Sequence, residues 1–277
     1  MDLSDTYSEA LCVITGAGSG IGRALALALN EYGAHLALSD IDAAGLAETK
    51  ALLEGSNHII TDKLDVSDAD AIAAYAGHVK QAMGNADYVF NVAGIARVGS
   101  FDESPLSSFE TVMNVNLYGV VRMSKAFLGQ LKETQGGLVN ISSIFGVIGF
   151  PGQADYCAAK FAVRGFSETL ATEMEPHGVS VTSVHPGGVA TNIARSAKVD
   201  AMPSHGRPRE EMDAEFDKAA ITTADQAAAI ILKGAAKGRR RVIVGKDAKL
   251  VQLISRLFPE NYFKILRKLQ PGTTDLL

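Results

Sequence analysis

Residues 11–22 read LCVITGAGSGIG, an apolar run that passes through a glycine-rich turn into the start of an apolar helix. The apolar run predicts a buried strand, and the spacing after the turn predicts a helix. Glycines at 16, 20 and 22 remove the Cβ atoms that would hold backbone N–H groups and a helix N-terminus away from a phosphate. The stretch therefore predicts the first strand and helix of a parallel α/β sheet. Its turn either cradles a pyrophosphate or serves only as a tight turn.

The rest of the chain repeats this alternation of apolar runs and helical patterns as far as about residue 245. Such alternation predicts βαβ units and a parallel sheet buried on both faces. We expect strands at Leu11–Thr15, His35–Ser39, Ile59–Leu64, Tyr88–Asn91, Leu138–Ser142, Ser180–Val184 and Arg241–Val244. We expect helices at Ile21–Tyr32, Ala43–Glu54, Asp68–Met83, Leu106–Lys132, Asp155–His177 and Ala224–Gly234. The predicted fold class is α/β, a doubly wound Rossmann-type parallel sheet of about seven strands with helices on both faces, plus a C-terminal helical extension.

The predicted domain organisation is a single domain over residues 1–245 followed by an extension over residues 246–277. An irregular stretch at about 187–220 carries Pro203, Gly206 and Pro208, which resist regular structure. A loop of this length inside a compact domain is typical of a lid over a binding site. A surface excursion without a role is the alternative interpretation.

Composition and charge exclude several classes of protein. The chain has 277 residues, of which 47% are hydrophobic and 21% charged, as in globular proteins. Its net charge of −5 provides no overall attraction to nucleic acid. Cys12 and Cys157 form no CxxC pair, which predicts a reducing compartment and no metal site. The N-terminus lacks a leader pattern and no apolar run reaches membrane-spanning length, so we expect a soluble cytoplasmic protein.

Asp40 indicates which cofactor the glycine-rich turn accepts. It closes the second predicted strand, 18 residues after Gly22, where a carboxylate accepts hydrogen bonds from the ribose hydroxyls of a dinucleotide. The same carboxylate repels a 2′-phosphate, and neither Ile41 nor Ser19 is basic. We therefore expect NAD rather than NADP. A solvated aspartate at a strand end is the alternative.

Further motifs follow the glycine-rich turn in order. They are Leu64-Asp65-Val66, Asn91-Val92-Ala93-Gly94, NVNLYG at 114–119, Ser143, Tyr156 with Lys160, and PGGVAT at 186–191. In this order the chain resembles the short-chain dehydrogenase/reductase family, in its shorter, non-extended branch, over residues 8 to about 245. Val92 departs from the family pattern, which usually has a second asparagine there.

The resemblance implies a nicotinamide dinucleotide site and a homo-oligomer. It implies that Asp65 and Val66 contact the adenine. It also implies that Val189 and Thr191 hold the nicotinamide carboxamide, and that Asn116 orients Lys160 through a water in a proton relay. Together with the glycine-rich turn, the expected cofactor-binding residues are Gly16, Ser19, Gly20, Ile21, Gly22, Asp40, Asp65, Val66, Asn91, Ala93, Gly94, Tyr156, Lys160, Pro186, Gly187, Val189 and Thr191.

The reactive centre also follows from the residues themselves. Tyr156 and Lys160 are four residues apart on a predicted helix, so the ammonium can lie beside the phenol. An unperturbed tyrosine has a pKa of about 10, and we expect the ammonium and the positive nicotinamide ring to lower it. Tyr156 then acts as a general acid or base, while Ser143 donates a hydrogen bond to the substrate oxygen. The predicted catalytic set is Asn116, Ser143, Tyr156 and Lys160; an ordinary helix pair is the alternative.

The substrate pocket is predicted to be apolar. Residues 144–155 read IFGVIGFPGQAD, without a base, and by family position this loop borders the substrate together with the lid, which carries Met202 and Pro203. We expect substrate contacts from Phe145, Phe150, Gln153 and Ile193. Such a lining favours an apolar alcohol or ketone over a sugar or a phosphate ester. Ordinary core packing is the alternative.

These observations predict an oxidoreductase that transfers a hydride between NAD(H) and an apolar secondary alcohol or ketone. Two other functions stay open at this point. A catalytically silent NAD-binding sensor or scaffold would share the cofactor site. A sugar-nucleotide epimerase would share the tyrosine chemistry, but its glycine spacing and larger C-terminal domain are not seen in this sequence.

The C-terminal extension is basic and amphipathic. Residues 237–268 carry ten Lys or Arg against Asp247 and Glu260, a net of +8, which leaves −13 for the rest of the chain. Leucine, isoleucine and phenylalanine recur at helical spacing around Pro259. Such a helix pair can rest on an anionic membrane, or it can cover the chain's own domain or a second copy in a dimer or tetramer. We favour packing within the chain or on a partner subunit.

Overall fold

The computed structural model of the protein describes residues 2–55, 57–193, 196–201 and 220–269. Within these ranges the strands are β1 (Leu11–Thr15), β2 (His35–Asp40), β3 (Ile59–Lys63), β4 (Tyr88–Asn91), β5 (Arg97–Gly99), β6 (Gly137–Ile141), β7 (Ser180–Pro186), β8 (Lys198–Ala201) and β9 (Arg241–Val244). Seven of them form one sheet in the order β3-β2-β1-β4-β6-β7-β9, and every neighbouring pair is parallel. The doubly wound sheet predicted from the sequence is confirmed.

Helices connect the strands. Those within the described ranges are α1 (Ser4–Tyr7), α2 (Gly20–Glu31), α3 (Ala43–Ala51), α4 (Ala69–Met83), α5 (Leu106–Met113), α6 (Val120–Thr134), α7 (Ala154–Met174), α8 (Ala224–Ala235), α9 (Lys246–Leu257) and α10 (Tyr262–Leu269). The predicted helices are found with bounds that move by one to three residues, except where the next paragraphs say otherwise. Helix ends are set by local capping as much as by apolar spacing, so such shifts are ordinary.

Strand β1 shows how the sheet is buried on both faces. Cys12 and Ile14 belong to a core cluster with residues of α2 and α8, whereas Leu11 and Val13 belong to a second cluster with residues of α4, α6 and α7. Successive side chains of a strand point to opposite faces, so this alternation places one helical layer on each side of the sheet. All five residues of β1 are buried, as a doubly covered strand requires.

The topology places the binding crevice at the carboxyl ends of β1 and β4. From β1 the chain winds to β2 and β3 on one side, and from β4 it continues to β6, β7 and β9 on the other. Thr15 and Asn91 are register partners at the ends of these two central strands. Ligands of open α/β sheets bind in the crevice at this point, where the winding direction changes. Both the glycine-rich turn and the Asn91–Gly94 loop begin here.

The helix predicted over Leu106–Lys132 is not one regular α-helix. Between α5 and α6 the structure has a π-helical segment at Asn114–Gly119. Such segments are rare and are frequently found at functional sites. The prediction was wrong here because the wider π turn interrupts the α-helical ladder without breaking the apolar periodicity that sequence analysis reads.

The lid predicted at about 187–220 lies partly outside the described residues, which exclude Met202, Pro203, Gly206 and Pro208. Its described portion includes β8, which pairs with β5 in a small parallel sheet that the sequence did not predict. The Arg97 guanidinium and the Asp200 carboxylate form a mostly buried ion pair at 3.0 Å (Nε to Oδ2) between these strands. The described portion of the predicted lid is therefore attached to the segment that follows β4.

The extension begins directly after β9 as α9 and continues as α10. Ala248 and Ile254 of α9 are buried, whereas the two helices expose most of their lysine and arginine side chains. None of the helices in the described part of the chain has the length and apolar character needed to cross a membrane. The helical extension itself is confirmed.

Candidate functional site

The glycine-rich turn and the loop after β4 are fastened to each other. Thr15 Oγ1 accepts hydrogen bonds from the backbone N–H groups of Val92 (3.0 Å) and Ala93 (3.2 Å). Gly16 has a φ of +68°, and a Cβ there would lie 2.8 Å from the Ala93 nitrogen. Position 16 therefore requires glycine both for its backbone conformation and for the close approach of the second loop.

The N-terminus of α2 is open to an anion. Ser19 stands at the N-cap, is exposed, and within the described residues its side chain makes no capping hydrogen bond; Ile21 beside it is half-buried. A Cβ on Gly20 would lie 3.1 Å from Thr191 Cγ2, so the threonine predicted to hold the carboxamide borders the same opening. Because first-turn N–H groups lack intrahelical partners, this opening fits the pyrophosphate of a dinucleotide.

Asp40 is bound into the glycine-rich turn. Its Oδ2 accepts a hydrogen bond from the Gly18 N–H (2.8 Å), and its Oδ1 accepts one from the Asp42 N–H (2.9 Å). Arg23, which sequence reasoning overlooked, lies close by and donates to the Gly18 carbonyl oxygen and to Glu48 Oε2. The Asp40 carboxylate therefore shapes the turn in addition to the ribose contact expected of it, and the nearby guanidinium already has an acidic partner.

The two residues expected at the adenine lie in the turn after β3. Asp65 Oδ1 accepts a hydrogen bond from the Ser67 N–H (2.8 Å). Val66 is buried against Gly119 of the π-helical segment, where a Cβ would lie 2.9 Å from Val66 Cγ2. One hydrogen bond and one close backbone contact thus hold this turn in place, and its contact with an adenine stays a prediction.

Asn91 turns its side chain into the protein. Its Nδ2 donates to Asn140 Oδ1 (2.8 Å) and to Ser124 Oγ (3.3 Å), and the Asn140 amide in turn donates to Ser167 Oγ (3.0 Å). This buried network joins β4 and β6 to the helices α6 and α7. The Asn91 Nδ2 is thus fully used within the protein, its buried Oδ1 has no hydrogen-bond partner among the described residues, and Ala93 and Gly94 are half-buried; the cofactor contacts of all three stay predictions.

Three of the predicted catalytic side chains converge. Tyr156 and Lys160 lie on α7, and Lys160 Nζ is 5.5 Å from the centroid of the Tyr156 ring. The same Nζ donates to the Ile141 carbonyl oxygen (2.9 Å), which anchors it to the end of β6. Ser143 follows β6 directly; its Oγ accepts a hydrogen bond from the Phe145 N–H (3.1 Å) and lies near enough to the Tyr156 phenol to lower the pKa of that phenol. The Ser143 hydroxyl, the Tyr156 phenol and the Lys160 ammonium therefore lie close together.

The pKa of Tyr156 does not shift in the direction expected from the sequence. Burial raises the pKa of the phenol to about 12, and the nearby Ser143 hydroxyl opposes that rise. Burial also lowers the pKa of the Lys160 ammonium to about 8. The expected lowering of the tyrosine pKa is therefore wrong for the protein chain alone, because removal from water disfavours the phenolate more than its neighbours favour it.

Asn116 lies at the centre of the π-helical segment. Its Nδ2 donates to the Ile95 carbonyl oxygen (2.9 Å), and its Oδ1 accepts from the Ile95 N–H (2.8 Å). A Cβ on Gly94 would lie 3.2 Å from Asn116 Oδ1 and 3.6 Å from Lys160 Nζ. Glycine at 94 thus keeps free the space between the amide and the ammonium. The orientation of Lys160 by Asn116 stays a prediction, because the amide itself bonds to Ile95.

His185 belongs to the site although sequence analysis left it out. Its Nδ1 lies 3.0 Å from the Ser143 carbonyl oxygen, and its Nε2 lies 3.0 Å from Ser183 Oγ. A carbonyl oxygen can only accept, so Nδ1 carries the proton and Nε2 accepts from the serine hydroxyl. The imidazole thereby positions the backbone of Ser143. Its place directly before the PGGVAT loop was the available signal.

We expect His185 to make the protein less stable in acid. Burial lowers the pKa of the imidazole to about 4, and the Arg241 and Arg164 charges act in the same direction. As pH falls from about 6.5 towards about 4, the His185 imidazole binds a proton in the unfolded chain but not in the folded chain. The free energy of unfolding therefore falls, by up to about 3 kcal/mol. Urea unfolding of wild type and His185→Gln across this range measures the effect. Parallel pH profiles for the two proteins would contradict it.

Asp247, in the first turn of α9, holds the loop after β7. Its Oδ2 accepts a hydrogen bond from the Gly188 N–H (2.7 Å), and a Cβ on Gly187 or on Gly245 would overlap the carboxylate. No donor among the described residues reaches Asp247 Oδ1, which is buried. Pro186 ends β7, and Val189 pairs with Thr222 in an isolated bridge. The cofactor loop predicted at 186–191 is therefore held partly by the extension.

Replacing Asp247 with alanine is expected to weaken cofactor binding and lower stability. The half-buried Gly188 N–H loses its acceptor, which costs about 1 kcal/mol. Because the freed loop carries the predicted contacts of Val189 and Thr191, we expect the KM for the dinucleotide to rise about tenfold, equivalent to about 1.4 kcal/mol. Steady-state kinetics and urea unfolding measure both effects. Glu260→Ala, which removes an exposed acid of the same extension, serves as control; a normal KM in Asp247→Ala would refute the role.

An aromatic row extends from the catalytic tyrosine towards the extension. Phe145 meets Tyr156 edge-on, with ring centroids 6.3 Å apart, and stacks on Phe150 at 4.8 Å. Phe263 of α10 contacts Phe150 at 6.5 Å, and Tyr262 Oη accepts a hydrogen bond from the Gly149 N–H (3.0 Å). Part of the extension therefore packs on the chain's own loop at Gly149 and Phe150, which is predicted to border the substrate.

The other two residues expected at the substrate differ in their surroundings. Gln153 Nε2 donates to the Arg97 carbonyl oxygen (2.8 Å), so this amide holds β5 in place. Ile193 is half-buried in the described part of the lid. The structure thus places Phe145 against Tyr156 and Phe150 against Phe145. The Gln153 side chain instead bonds to the backbone of Arg97.

Comparison with known proteins adds a second, independent line of evidence. The model of the family described as short chain dehydrogenase matches residues 10–201. A Mycobacterium tuberculosis protein provisionally named oxidoreductase SadH is 44% identical over 266 residues, covering 94% of this chain and 95% of that one. Because 94% of this chain is covered, the match reaches at least part of the extension as well as the sheet.

Solved structures show the same fold. A short chain dehydrogenase/reductase from Burkholderia phymatum in complex with NAD has a TM-score of 0.82 and 27% identity, with 98% of both chains covered. An alcohol dehydrogenase from Thermococcus sibiricus complexed with 5-hydroxy-NADP has a TM-score of 0.73 and 28% identity, covering 85% of this chain and 95% of that chain. The two bound cofactors differ, so these structures do not discriminate between NAD and NADP for this chain.

Proposed function

The chain belongs to the short-chain dehydrogenase family, and from this premise we propose that it transfers a hydride between NAD(H) and an apolar secondary alcohol or ketone, with Tyr156 as general acid and base. Membership makes it an oxidoreductase that uses a nicotinamide cofactor. The observation that supports the proposed chemistry is the row of Ser143, Tyr156 and Lys160, with the Lys160 ammonium 5.5 Å from the phenol ring.

The residues of the chain fit a nicotinamide dinucleotide. The α2 N-terminus is open beside Gly20, Gly16 allows the close approach of the loop at Ala93, and Gly94 leaves space between the Asn116 amide and the Lys160 ammonium. When bound, the nicotinamide ring supplies the hydride acceptor or donor and, in its oxidised form, a positive charge. Thr191 borders the opening beside Gly20, which supports its assignment to the carboxamide.

Proton transfer is assigned to Tyr156. During oxidation the phenolate takes the proton of the substrate hydroxyl, while the hydride leaves the carbinol carbon with its electron pair; during reduction the phenol returns a proton to the forming alkoxide. Ser143 donates a hydrogen bond to the same oxygen and stabilises its developing charge. With a pKa of about 8, Lys160 is mostly protonated at neutral pH, and its charge favours the phenolate against the effect of burial.

The preference for NAD is assigned to Asp40, and its replacement with asparagine is expected to relax that preference. Removal of one negative charge beside the ribose takes away a repulsion of about 1–4 kcal/mol towards a 2′-phosphate. We therefore expect the ratio of kcat/KM for NADP to that for NAD to rise about tenfold or more. Kinetics with both cofactors measure the ratio. Asp42→Asn, which changes the helix-capping acid two residues on, is the control, and an unchanged ratio in Asp40→Asn would refute the assignment.

The proposed substrate class depends on the aromatic row beside Tyr156. A turnover screen of apolar secondary alcohols with NAD and NADP side by side tests cofactor and pocket together. We expect turnover of apolar alcohols with NAD, and none of sugars or phosphate esters. Binding of NAD without turnover of any alcohol or ketone would favour a sensor or scaffold instead.

We further propose that the protein is a homo-oligomer, as family membership suggests. Leu106 of α5, Tyr118 of the π-helical segment and Phe161 of α7 expose 65%, 51% and 41% of their surface. These neighbouring helices offer apolar side chains to a second copy without involving the extension.

A further inference from the structure

Helix α9 of the extension has two apolar faces, and only one of them packs on the domain. Ala248 and Ile254 are buried, at 0% and 8% exposure. Leu250, Leu253 and Leu257 expose 52%, 54% and 61% of their surface. The inner face is sufficient to attach the helix, so the outer leucines contribute little to the fold.

The outer leucines form one continuous stripe. Positions 250, 253 and 257 are spaced by three and four residues, which places their side chains on one side of a helix. Phe258 follows at 50% exposure, and Leu269 at the end of α10 exposes 58%. Contiguous exposed apolar side chains of this kind mark interaction surfaces. We call residues 250, 253, 257 and 258 the outer apolar face.

Positive charges surround the outer apolar face. The exposed cations of α9 and α10 are Lys246, Lys249, Arg256, Lys264, Arg267 and Lys268. Against them, the acids in the described part of the extension are Glu260, which is exposed, and Asp247, which is turned towards Gly188. The surface is therefore cationic although the whole chain has a net charge of −5.

The extension is attached to the active-site side of the domain at two points. Asp247 binds the Gly188 N–H at the start of α9, and Tyr262 binds the Gly149 N–H at the start of α10. These contacts orient both helices and leave the outer apolar face free. Packing within the chain, which we favoured from the sequence, therefore describes the inner face but not the outer one.

We propose that the outer apolar face and its cations dock on an anionic lipid membrane, with α9 and α10 lying in the interface. Cations near an anionic leaflet attract it electrostatically, while leucine and phenylalanine side chains insert below the headgroups. A second copy of the chain fits this face less well. A two-fold contact brings the same patch of both subunits together, so six exposed cations would meet six others with few acids between them.

Membrane docking would bring the substrate-bordering loop at Gly149 and Phe150 close to the lipid, because α10 packs on that loop. An apolar substrate dissolved in the membrane would then lie near the pocket. The docking proposal depends on the exposed leucines and the cations of α9 and α10. It does not depend on the proposed substrate class.

Vesicle flotation of the full chain tests the proposal. Vesicles of phosphatidylcholine with phosphatidylserine are compared with vesicles of phosphatidylcholine alone, each at low and at high salt. We expect the protein to float with the anionic vesicles at low salt, and its partition coefficient to fall about tenfold or more at high salt, because salt screens the attraction. Failure to float with anionic vesicles at low salt would overturn the proposal.

Two matched variants distinguish lipid binding through the outer apolar face from nonspecific binding through exposed apolar side chains elsewhere. Combined replacement Leu250→Ser, Leu253→Ser and Leu257→Ser should abolish flotation while retaining the circular dichroism spectrum and turnover in solution, since these side chains are exposed. Leu52→Ser with Ile230→Ser removes exposed apolar side chains elsewhere and should float like wild type. Equal flotation of the triple variant would overturn the proposal. So would a fall in oligomer mass by light scattering, since it would make this face a contact between copies.

Discussion

Replacing Tyr156 with phenylalanine is expected to lower kcat by about 10²–10⁴-fold, the usual contribution of a positioned general acid or base. The variant keeps the ring that contacts Phe145 edge-on and loses only the hydroxyl near Ser143. Because the open α2 N-terminus and Asp40 lie on other elements, the dissociation constant for NAD should change little. Steady-state kinetics measure kcat, and displacement of bound, fluorescent NADH by NAD measures the dissociation constant.

Tyr118→Phe is the matched control for this change. It removes a hydroxyl from an exposed tyrosine on the π-helical segment and should leave kcat unaltered. Normal turnover in a folded Tyr156→Phe protein would refute the proton-transfer assignment. A sensor or scaffold predicts a different result, since its wild type would bind NADH and show no turnover to lose.

Gly22→Ala is expected to abolish tight dinucleotide binding and to destabilise the fold. A Cβ at this position would overlap the carbonyl oxygen of Gly16. That oxygen belongs to backbone, and Gly16 itself is pressed against Ala93, so neither side can move without displacing the turn. Overpacking of this kind costs about 1–3 kcal/mol, and we expect the dissociation constant for NAD to rise about tenfold or more. Urea unfolding and NADH titration measure both.

Gly77→Ala provides the comparison for this prediction. Both glycines lie in α-helices, α2 and α4, where alanine is intrinsically favoured by about 1 kcal/mol. A Cβ on Gly77 meets nothing within 4 Å, so the substitution there should raise the free energy of unfolding by about that amount and leave NAD binding intact. If Gly22→Ala also raised the free energy of unfolding and left NAD binding intact, the glycine-rich turn would not be tightly packed at position 22.

Short-range patterns predicted the sheet well. The bounds of β1 and β4 agree with those expected from apolar runs, because a strand covered on both faces must be apolar at nearly every position; those of the edge strand β9 agree as well, although only its alternate residues are buried. The order of the helices between the strands could be predicted from the sequence as well. The split of the helix over 106–132 was not, since an inserted π turn leaves the apolar spacing almost unchanged.

The candidate site was predicted unevenly. Tyr156 and Lys160 meet as their spacing on one helix required, and Ser143 joins them because β6 ends beside α7. The inward-turned side chain of Asn91 and the Gln153 contact with β5 were not foreseen, because each depends on a partner that other elements bring close.

Local spacing was sufficient for the βαβ alternation, the glycine-rich turn and the Tyr156–Lys160 pair, because each depends on residues that are neighbours along the chain. Folding established the contacts of Asp247 with Gly188 and of His185 with Ser143. It also reversed the expected direction of the tyrosine pKa. Such contacts join residues that are tens of positions apart, and burial arises from all the elements packed around a group, so neither can be read from a local pattern.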